Sequence, residues 1–213
     1  MDAILKKGVL AEYASVAWAV VQGGAAVAAG FYAGSISLIS LGLIALMSAA
    51  RPVMLIRRLK LESSGKRVGD DLVNVERKML FTLGMVFFLL AMYVLNEAGS
   101  RLYYREKPDV SSVGVFIAAL SCLVLSVLAV MKFRVAKTLE SRLLRLDAVE
   151  TARAISWPVL AGMGLVLHAR MGWWWADPVA AILMLPLISR RGWSAIEGSK
   201  ETVYDGGTVR LGP

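Results

Sequence analysis

The chain is apolar and basic: of its 213 residues, 57% are hydrophobic without counting glycine, and the net charge is +8. Soluble domains reach only about 45–50% even when glycine is counted. Together with a mean hydropathy of +0.62, this composition predicts a membrane protein and excludes a large additional soluble domain. The single cysteine excludes an intrachain disulfide, and the single histidine excludes a His-rich metal site. We attribute the charge to basic loops rather than to nucleic-acid binding.

Six apolar segments are long enough to predict an all-α membrane protein, a six-transmembrane-helix bundle, because a helix satisfies its own backbone groups in hydrocarbon. The turn Ala33-Gly34-Ser35 joins the first two spans in a tight hairpin. The sixth segment is short, so a re-entrant or interfacial segment is an alternative there. The predicted spans are residues 13–32, 35–56, 79–95, 113–131, 147–167 and 173–189, within a transmembrane domain of residues 1–198 that precedes a polar tail of residues 199–213.

Glycine and proline within the spans predict packing and bending. The run QGGAAVAAG, which starts at Gln22, gives the first span a small-sided surface suited to close helix packing in lipid. Proline removes a helical hydrogen bond and kinks a helix. We therefore predict kinks at Pro52, Pro158 and Pro186.

Basic residues are distributed unevenly over this six-span arrangement. Twenty of the 24 Lys and Arg residues lie at the termini, or in the second-to-third and fourth-to-fifth connections and their flanks. Because cytoplasmic loops carry an excess of Lys and Arg, we predict a multi-pass plasma or inner membrane protein with both termini in the cytoplasm. An odd number of spans could not produce this pattern, which favours the sixth span. The four residues on the opposite side are Arg101, Arg105, Lys107 and Arg170.

The basic segments are predicted to contact membrane lipids. Residues 60–67 and 132–145 could bind anionic headgroups, each charge contributing about 1 kcal/mol near the surface. The sequence contains no phosphate-binding loop, no HExxH and no G-x-S-x-G motif. We therefore predict no enzymatic activity and no nucleic-acid partner. Cys122, among apolar neighbours, is predicted to serve packing.

Four short motifs resemble the transmembrane domain of the cation diffusion facilitator family, in its short form without the cytoplasmic C-terminal domain. They are AGSISLISLGL from Ala33, YVLNEA from Tyr93, RLDAVET from Arg145 and GWWWADPVAAI from Gly172. The resemblance covers residues 18–198, and the order and spacing of the motifs carry it. It implies a six-helix bundle, usually a homodimer, that exchanges a divalent cation such as zinc for protons. The metal ligands would be pairs of side chains four residues apart on the second and fifth spans.

The sequence departs from the family at those ligand positions. On the second span they fall on Ile44 and Ser48, which cannot be anionic ligands. On the fifth span they fall on Glu150 and Ala154. Asp147 lies one turn before Glu150, so these two carboxylates are the candidate metal ligands, with a role in binding either metal or protons. On the first span the polar positions near the site fall on Ala19 and Gln22.

Ordinary structural roles are alternatives for the same acids. Asp147 and Glu150 have the spacing of a capping box at a helix start, and Glu150 could pair with Arg153 three residues later. Asp177 precedes a proline and is predicted to be the N-cap of the sixth span. Glu97 could bind an ion in a vestibule or pair with an arginine one turn later. Glu12 suits the start of the first helix, and His168 is predicted to lie at the surface.

Two functions of different class follow. The first is a divergent divalent metal cation/proton antiporter that exports its substrate, with Glu150 and Asp147 as surviving ligands. The second is a non-transporting structural or regulatory subunit of a larger membrane complex, with a degenerate metal site. Under the second hypothesis, we expect the polar tail to be held by a partner protein or by the protein's own cytoplasmic face.

Overall fold

The computed structural model describes residues 2–63, 70–109, 111–138, 140 and 142–201. These ranges contain eight α-helices and no strand. The predicted basic segment 60–67 lies largely outside the part of the chain whose side chains are described, and so does the tail beyond residue 201. The helices are α1 (Asp2–Ala33), α2 (Ile36–Ser48), α3 (Ala50–Ser63), α4 (Asp70–Tyr104), α5 (Ser112–Thr138), α6 (Arg142–Arg153), α7 (Ser156–Met171) and α8 (Ala176–Glu201).

The eight helices provide six segments that are long and apolar enough to cross a membrane, which confirms the predicted all-α, six-span fold. Two of the six spans are each made of two helices, α2 with α3 and α6 with α7. Each predicted span overlaps one of these segments, although the second and sixth predicted spans begin one and three residues before theirs, and every segment extends beyond the prediction at one end or both. The segments are Gly8–Ala33, Ile36–Arg57, Val73–Tyr104, Ser112–Thr138, Leu144–Met171 and Ala176–Lys200.

Proline explains where the two composite spans are interrupted. A proline ring clashes with the carbonyl group four residues before it. For Pro52 that residue is Ser48, the last of α2, and for Pro158 it is Ala154, which lies between α6 and α7. The helix breaks at these two prolines are short, since only Ala49 separates α2 from α3, and only Ala154 and Ile155 separate α6 from α7. Pro186, by contrast, lies within the continuous helix α8.

The α1–α2 hairpin packs at backbone contact distance, as the small-sided first span predicts. A Cβ atom added at Gly42 would lie 2.7 Å from both the carbonyl oxygen of Gly23 and the backbone nitrogen of Val27. One added at Gly30 would lie 2.7 Å from the backbone nitrogen of Ile39. Glycine is required at these points because any side chain would push the two helices apart.

The turns between α1 and α2, α4 and α5, and α7 and α8 meet at one end of the bundle, which we call the hairpin end. Asp177, fully buried, accepts hydrogen bonds from Ser35 Oγ (2.6 Å), from the Ile36 backbone nitrogen (2.9 Å) and from Ser37 Oγ. These bonds cap α2, and α8 already begins at Ala176. The prediction that Asp177 is the N-cap of its own helix is therefore wrong, because its carboxylate reaches the neighbouring helix instead.

Two further predictions concern the hairpin end. Arg101 lies within 3.0 Å of Glu97 Oε1, which confirms the ordinary ion pair expected from their spacing. His168 is buried rather than at the surface, and its Nε2 lies 2.8 Å from the carbonyl oxygen of Pro108. The surface prediction failed because the α4–α5 loop folds over α7, a long-range contact that local sequence does not reveal.

Candidate functional site

The family ligand positions converge on one cavity, in the half of the bundle away from the hairpin end. The cavity holds about 90 Å³, room for a few water molecules since each occupies about 30 Å³ in the liquid. Both helix breaks border it, because Ser48 and Ala154 are among its lining residues. The positions singled out by the sequence that line it are Ala19, Gln22, Ile44, Ser48, Asp147, Glu150 and Ala154.

Glu150, the one carboxylate at a family ligand position, is surrounded by guanidinium groups. Its carboxylate oxygens lie 2.8 Å from Arg153 NH1, 3.3 Å from Arg51 NH1 and 3.7 Å from Arg191 NH2. The contact with Arg153 confirms the pairing expected from their spacing. Arg51 and Arg191 come from α3 and α8, so three helices supply cations to a single acid.

Asp147 belongs to a second buried ion group, centred on Lys132. The Lys132 ammonium lies 2.5 Å from Asp147 Oδ2 and 2.8 Å from Glu12 Oε2. Only 3% of the Lys132 side chain and 1% of the Glu12 side chain are exposed. Two carboxylates therefore share one buried ammonium, and the contact ties α1, α5 and α6 together.

Arg191 joins the two helix breaks. Its NH1 donates to Ser48 Oγ at 2.8 Å, at the end of α2, and its NH2 donates to the Glu150 carbonyl oxygen at 3.4 Å, near the end of α6. Its guanidinium carbon also lies 5.7 Å from the centre of the Trp157 ring. Helix C-termini carry partial negative charge and unpaired carbonyl groups. Arg191 thus places the positive charge of its side chain at the ends of α2 and α6.

The capping-box interpretation of Asp147 and Glu150 is wrong, because α6 already begins at Arg142. Both acids lie well inside the helix, on the side that faces the cavity. Helix α7 starts only at Ser156, and its N-cap position, Ile155, makes no side-chain capping bond.

Sequence reasoning missed Lys132, Arg51, Arg191 and the buried position of Glu12. Lys132 and Arg191 follow the predicted ends of their spans at residues 131 and 189, so they were assigned to loops. The helices in fact continue to Thr138 and Glu201. Glu12 was placed at a helix start, but α1 begins ten residues earlier at Asp2. An ionisable residue within a membrane span is by default a candidate functional residue, and spans drawn longer would have included these three.

The arrangement offers a metal ion few free ligands. In the part of the chain that the structure describes, no group of three or more His, Cys, Asp or Glu side chains could hold a metal ion. Asp147 and Glu150 both line the cavity, but each contacts a lysine or an arginine. Chemically, the site is a network of ion pairs in which four cations face three acids, rather than an acidic cage.

A second, larger cavity of about 550 Å³ lies beside the first and shares part of its wall. Its lining combines four arginines, two glutamates and two tryptophans with a few small or apolar side chains. Glu197, one of the two acids, accepts a hydrogen bond from Trp193 Nε1 at 2.5 Å. The charged and aromatic residues are Arg51, Arg153, Arg190, Arg191, Glu150, Glu197, Trp157 and Trp193.

No protein-family model and no curated protein matches this chain. What places it among membrane proteins is its set of six long apolar helices. The resemblance to the cation diffusion facilitator family therefore remains a prediction. It rests on the four sequence motifs. The structure adds that the expected ligand positions line one cavity.

Proposed function

We propose that this multi-pass membrane protein is a relative of the cation diffusion facilitators that does not transport metal. In this proposal it is a structural or regulatory subunit of a membrane assembly. The observation that carries the proposal is the environment of Glu150, where three arginines lie within 4.0 Å of the one acid left at the expected ligand positions.

The magnitude of the repulsion supports this proposal. Two unit charges 4 Å apart interact by about 4 kcal/mol at an effective dielectric constant of 20. A dication bound to Glu150 would therefore be opposed by about 8 kcal/mol for a buried arginine held 4 Å away, and by less for Arg153, whose side chain is 63% exposed to solvent. The two carboxylates that line the cavity, Glu150 and Asp147, already pair with cations, which reduces the attraction available to offset this repulsion. Arg191 takes the place of the cation and cannot be released.

The network also favours a static bundle. Among the described residues, its ion pairs and hydrogen bonds join five of the six spans. Alternating access requires one group of helices to move against another. Here such a movement would separate buried charges, and separation of a buried pair is costly. A fixed scaffold uses the same contacts for stability.

Metal/proton antiport is the second candidate, and one observation favours it. The four expected ligand positions face a common cavity at two discontinuous helices, and secondary transporters often build their ion sites at such breaks. In this case Asp147 and Glu150 would carry protons or metal, and divalent cations such as zinc would be the substrate.

Transport can be measured in proteoliposomes loaded with a pH-sensitive dye. The wild type and the variant Glu150→Gln would be compared for zinc, manganese, cobalt and magnesium. The matched control is Glu106→Gln, since Glu106 is exposed at the hairpin end, far from the cavity. We expect no metal-dependent proton counterflow from any of the three proteins. Counterflow in the wild type and the control that Glu150→Gln abolishes would refute the proposal and establish antiport.

The subunit role has its own test. Purified from its native membrane in a mild detergent, the full chain should run in a complex larger than a homodimer, with partner proteins in fixed stoichiometry. A homodimer alone, which the family resemblance implies, or a lone monomer would contradict a role as a subunit. Light scattering combined with size exclusion distinguishes these states.

We also propose that the termini lie in the cytoplasm of a plasma or inner membrane, on the strength of the charge distribution. Single cysteines at positions 170 and 200, in a Cys122→Ala background, would report the orientation. In intact cells an impermeant maleimide should label position 170 and not position 200. The reverse pattern would overturn the proposed orientation.

A further inference from the structure

We propose that the larger cavity is a binding site for the phosphate headgroup of an anionic phospholipid, held between α6, α7 and α8. The cavity has about 550 Å³ of space, and four arginines line it against two glutamates. This site is distinct from the basic segment 132–145, none of whose residues lines it. The proposal holds for either candidate function, since it concerns lipid recognition rather than transport.

Charge in the cavity is suited to an anion. Arg51, Arg153 and Arg191 each contact Glu150, and three cations on one acid leave positive charge uncompensated. The side chains of Arg153 and Arg190 are exposed at the rim, where a headgroup can reach them. Guanidinium groups bind phosphate oxygens in pairs, with strong charge-assisted hydrogen bonds. Four arginines and two glutamates leave an excess of two positive charges. A phosphodiester headgroup would compensate for part of it.

The helix surfaces beside the cavity match an amphiphile. On α8, Leu183, Leu187, Arg190 and Ser194 lie at spacings of three and four, so they form one stripe that is apolar towards the hairpin end and polar at the cavity. Leu183 is 55% exposed. A lipid phosphate at the polar end of the stripe would leave its acyl chains along the apolar end.

Helix α7 repeats this pattern. Ser156 lines the cavity, and Val159 and Met163 follow on the same face towards the hairpin end, both exposed. Both helices thus present a stripe of residues with a polar end at the cavity and an exposed apolar end towards the hairpin end. A soluble phosphate would use only the polar end, which is why we assign the site to a lipid.

The depth of the site agrees with a lipid headgroup. Arg190 lies fourteen residues after Ala176, the start of the span, which corresponds to about 21 Å of helix in a hydrocarbon core of about 30 Å. A long arginine side chain reaches from that level to the nearby headgroup region. Trp193, exposed at the cavity rim, is of the residue type enriched at this interface.

Binding can be measured with the full chain in neutral detergent micelles by the shift of its thermal unfolding midpoint. The ligands to titrate are short-chain phosphatidylglycerol, short-chain phosphatidylcholine and inorganic phosphate. The test variant is Arg153→Gln with Arg190→Gln. The matched control is Lys107→Gln with Arg170→Gln, which removes the same charge from exposed positions at the hairpin end.

We expect saturable stabilisation by phosphatidylglycerol alone. Each lost arginine should raise the apparent Kd for phosphatidylglycerol about fivefold, which is the effect of one charge near a lipid surface. The test variant should therefore bind about 25-fold more weakly than the wild type. The control should bind within about twofold of the wild type. Without lipid the control should unfold at the wild-type midpoint and the test variant slightly below it, because Arg153→Gln also removes a largely exposed ion pair with Glu150. Equal losses in the two double variants would overturn the site, as would equal binding of phosphatidylcholine. Inorganic phosphate that binds as tightly as phosphatidylglycerol would overturn the lipid assignment.

Discussion

Replacement of Lys132 by methionine would leave Glu12 and Asp147 without their shared counter-ion. Methionine has a similar length, so the change removes the charge and little packing. Glu12 and Lys132 are almost fully buried, and the ammonium lies 2.8 and 2.5 Å from the two carboxylates. Removal of one partner from a buried ion pair costs about 3–5 kcal/mol. We expect Lys132→Met to lower the free energy of unfolding by that amount.

The same reasoning predicts a rescue. When the partners of a buried charge are replaced together by apolar groups of similar shape, the change can be nearly neutral. The triple variant Glu12→Met, Lys132→Met, Asp147→Val should therefore recover to within about 2 kcal/mol of the wild type. A matched control is Arg134→Met, because Arg134 lies on the same helix with its side chain exposed; its effect should stay within about 0.5 kcal/mol.

The free energies can be obtained from unfolding in mixed micelles of a neutral detergent and dodecyl sulfate, followed by the helical circular dichroism signal. The interpretation of the cluster as a coupled unit would be refuted by a cost below about 1 kcal/mol for Lys132→Met. It would also be refuted if the triple variant were no more stable than Lys132→Met, since the three groups would then not depend on one another.

Two further predictions use the same unfolding measurement. Gly42→Ala should destabilise the protein by about 1–3 kcal/mol, because the new methyl group meets the α1 backbone. Gly24→Ala should stabilise it by about 0.5–1 kcal/mol, since nothing lies within 4 Å of that position and alanine favours a helix. A similar effect at both positions would contradict the close approach of the α1 and α2 backbones at Gly42. Asp177→Ala should lower the free energy of unfolding by at least about 3 kcal/mol, because it removes the acceptor of three buried hydrogen bonds. The control Asp109→Ala, at an exposed position, should lower it by less than about 0.5 kcal/mol. Equal costs for the two aspartates would refute the capping role.

The sequence predicted the candidate site only in part. The family alignment identified Ile44, Ser48, Glu150 and Ala154 as equivalent positions, and the structure places all four around one cavity. The cations that neutralise the site could not be predicted in the same way. Arg191 is 41 residues from Glu150 in the chain, and its role depends on how α8 packs against α6 and the end of α2.

The number of spans and the all-α fold follow from the sequence alone, because an uncharged apolar segment of about 20 residues has few alternatives to a membrane helix. The small-sided first span likewise indicated its close packing. Local spacing was also sufficient for the pairs Glu97–Arg101 and Glu150–Arg153, since residues three or four apart share a helix face.

Only the tertiary structure decided the charge of the site. Charges inside a membrane protein are stabilised by partners from other helices, and these contacts carry no local sequence signal. Lys132 contacts an acid 120 residues away, Asp177 caps a helix that begins 141 residues before it, and Arg191 bridges two helix breaks. The apolar composition and the net charge of +8 predicted a basic membrane protein. The packing of the helices determined that some of those basic groups occupy the bundle interior, where the family resemblance implied a metal ion.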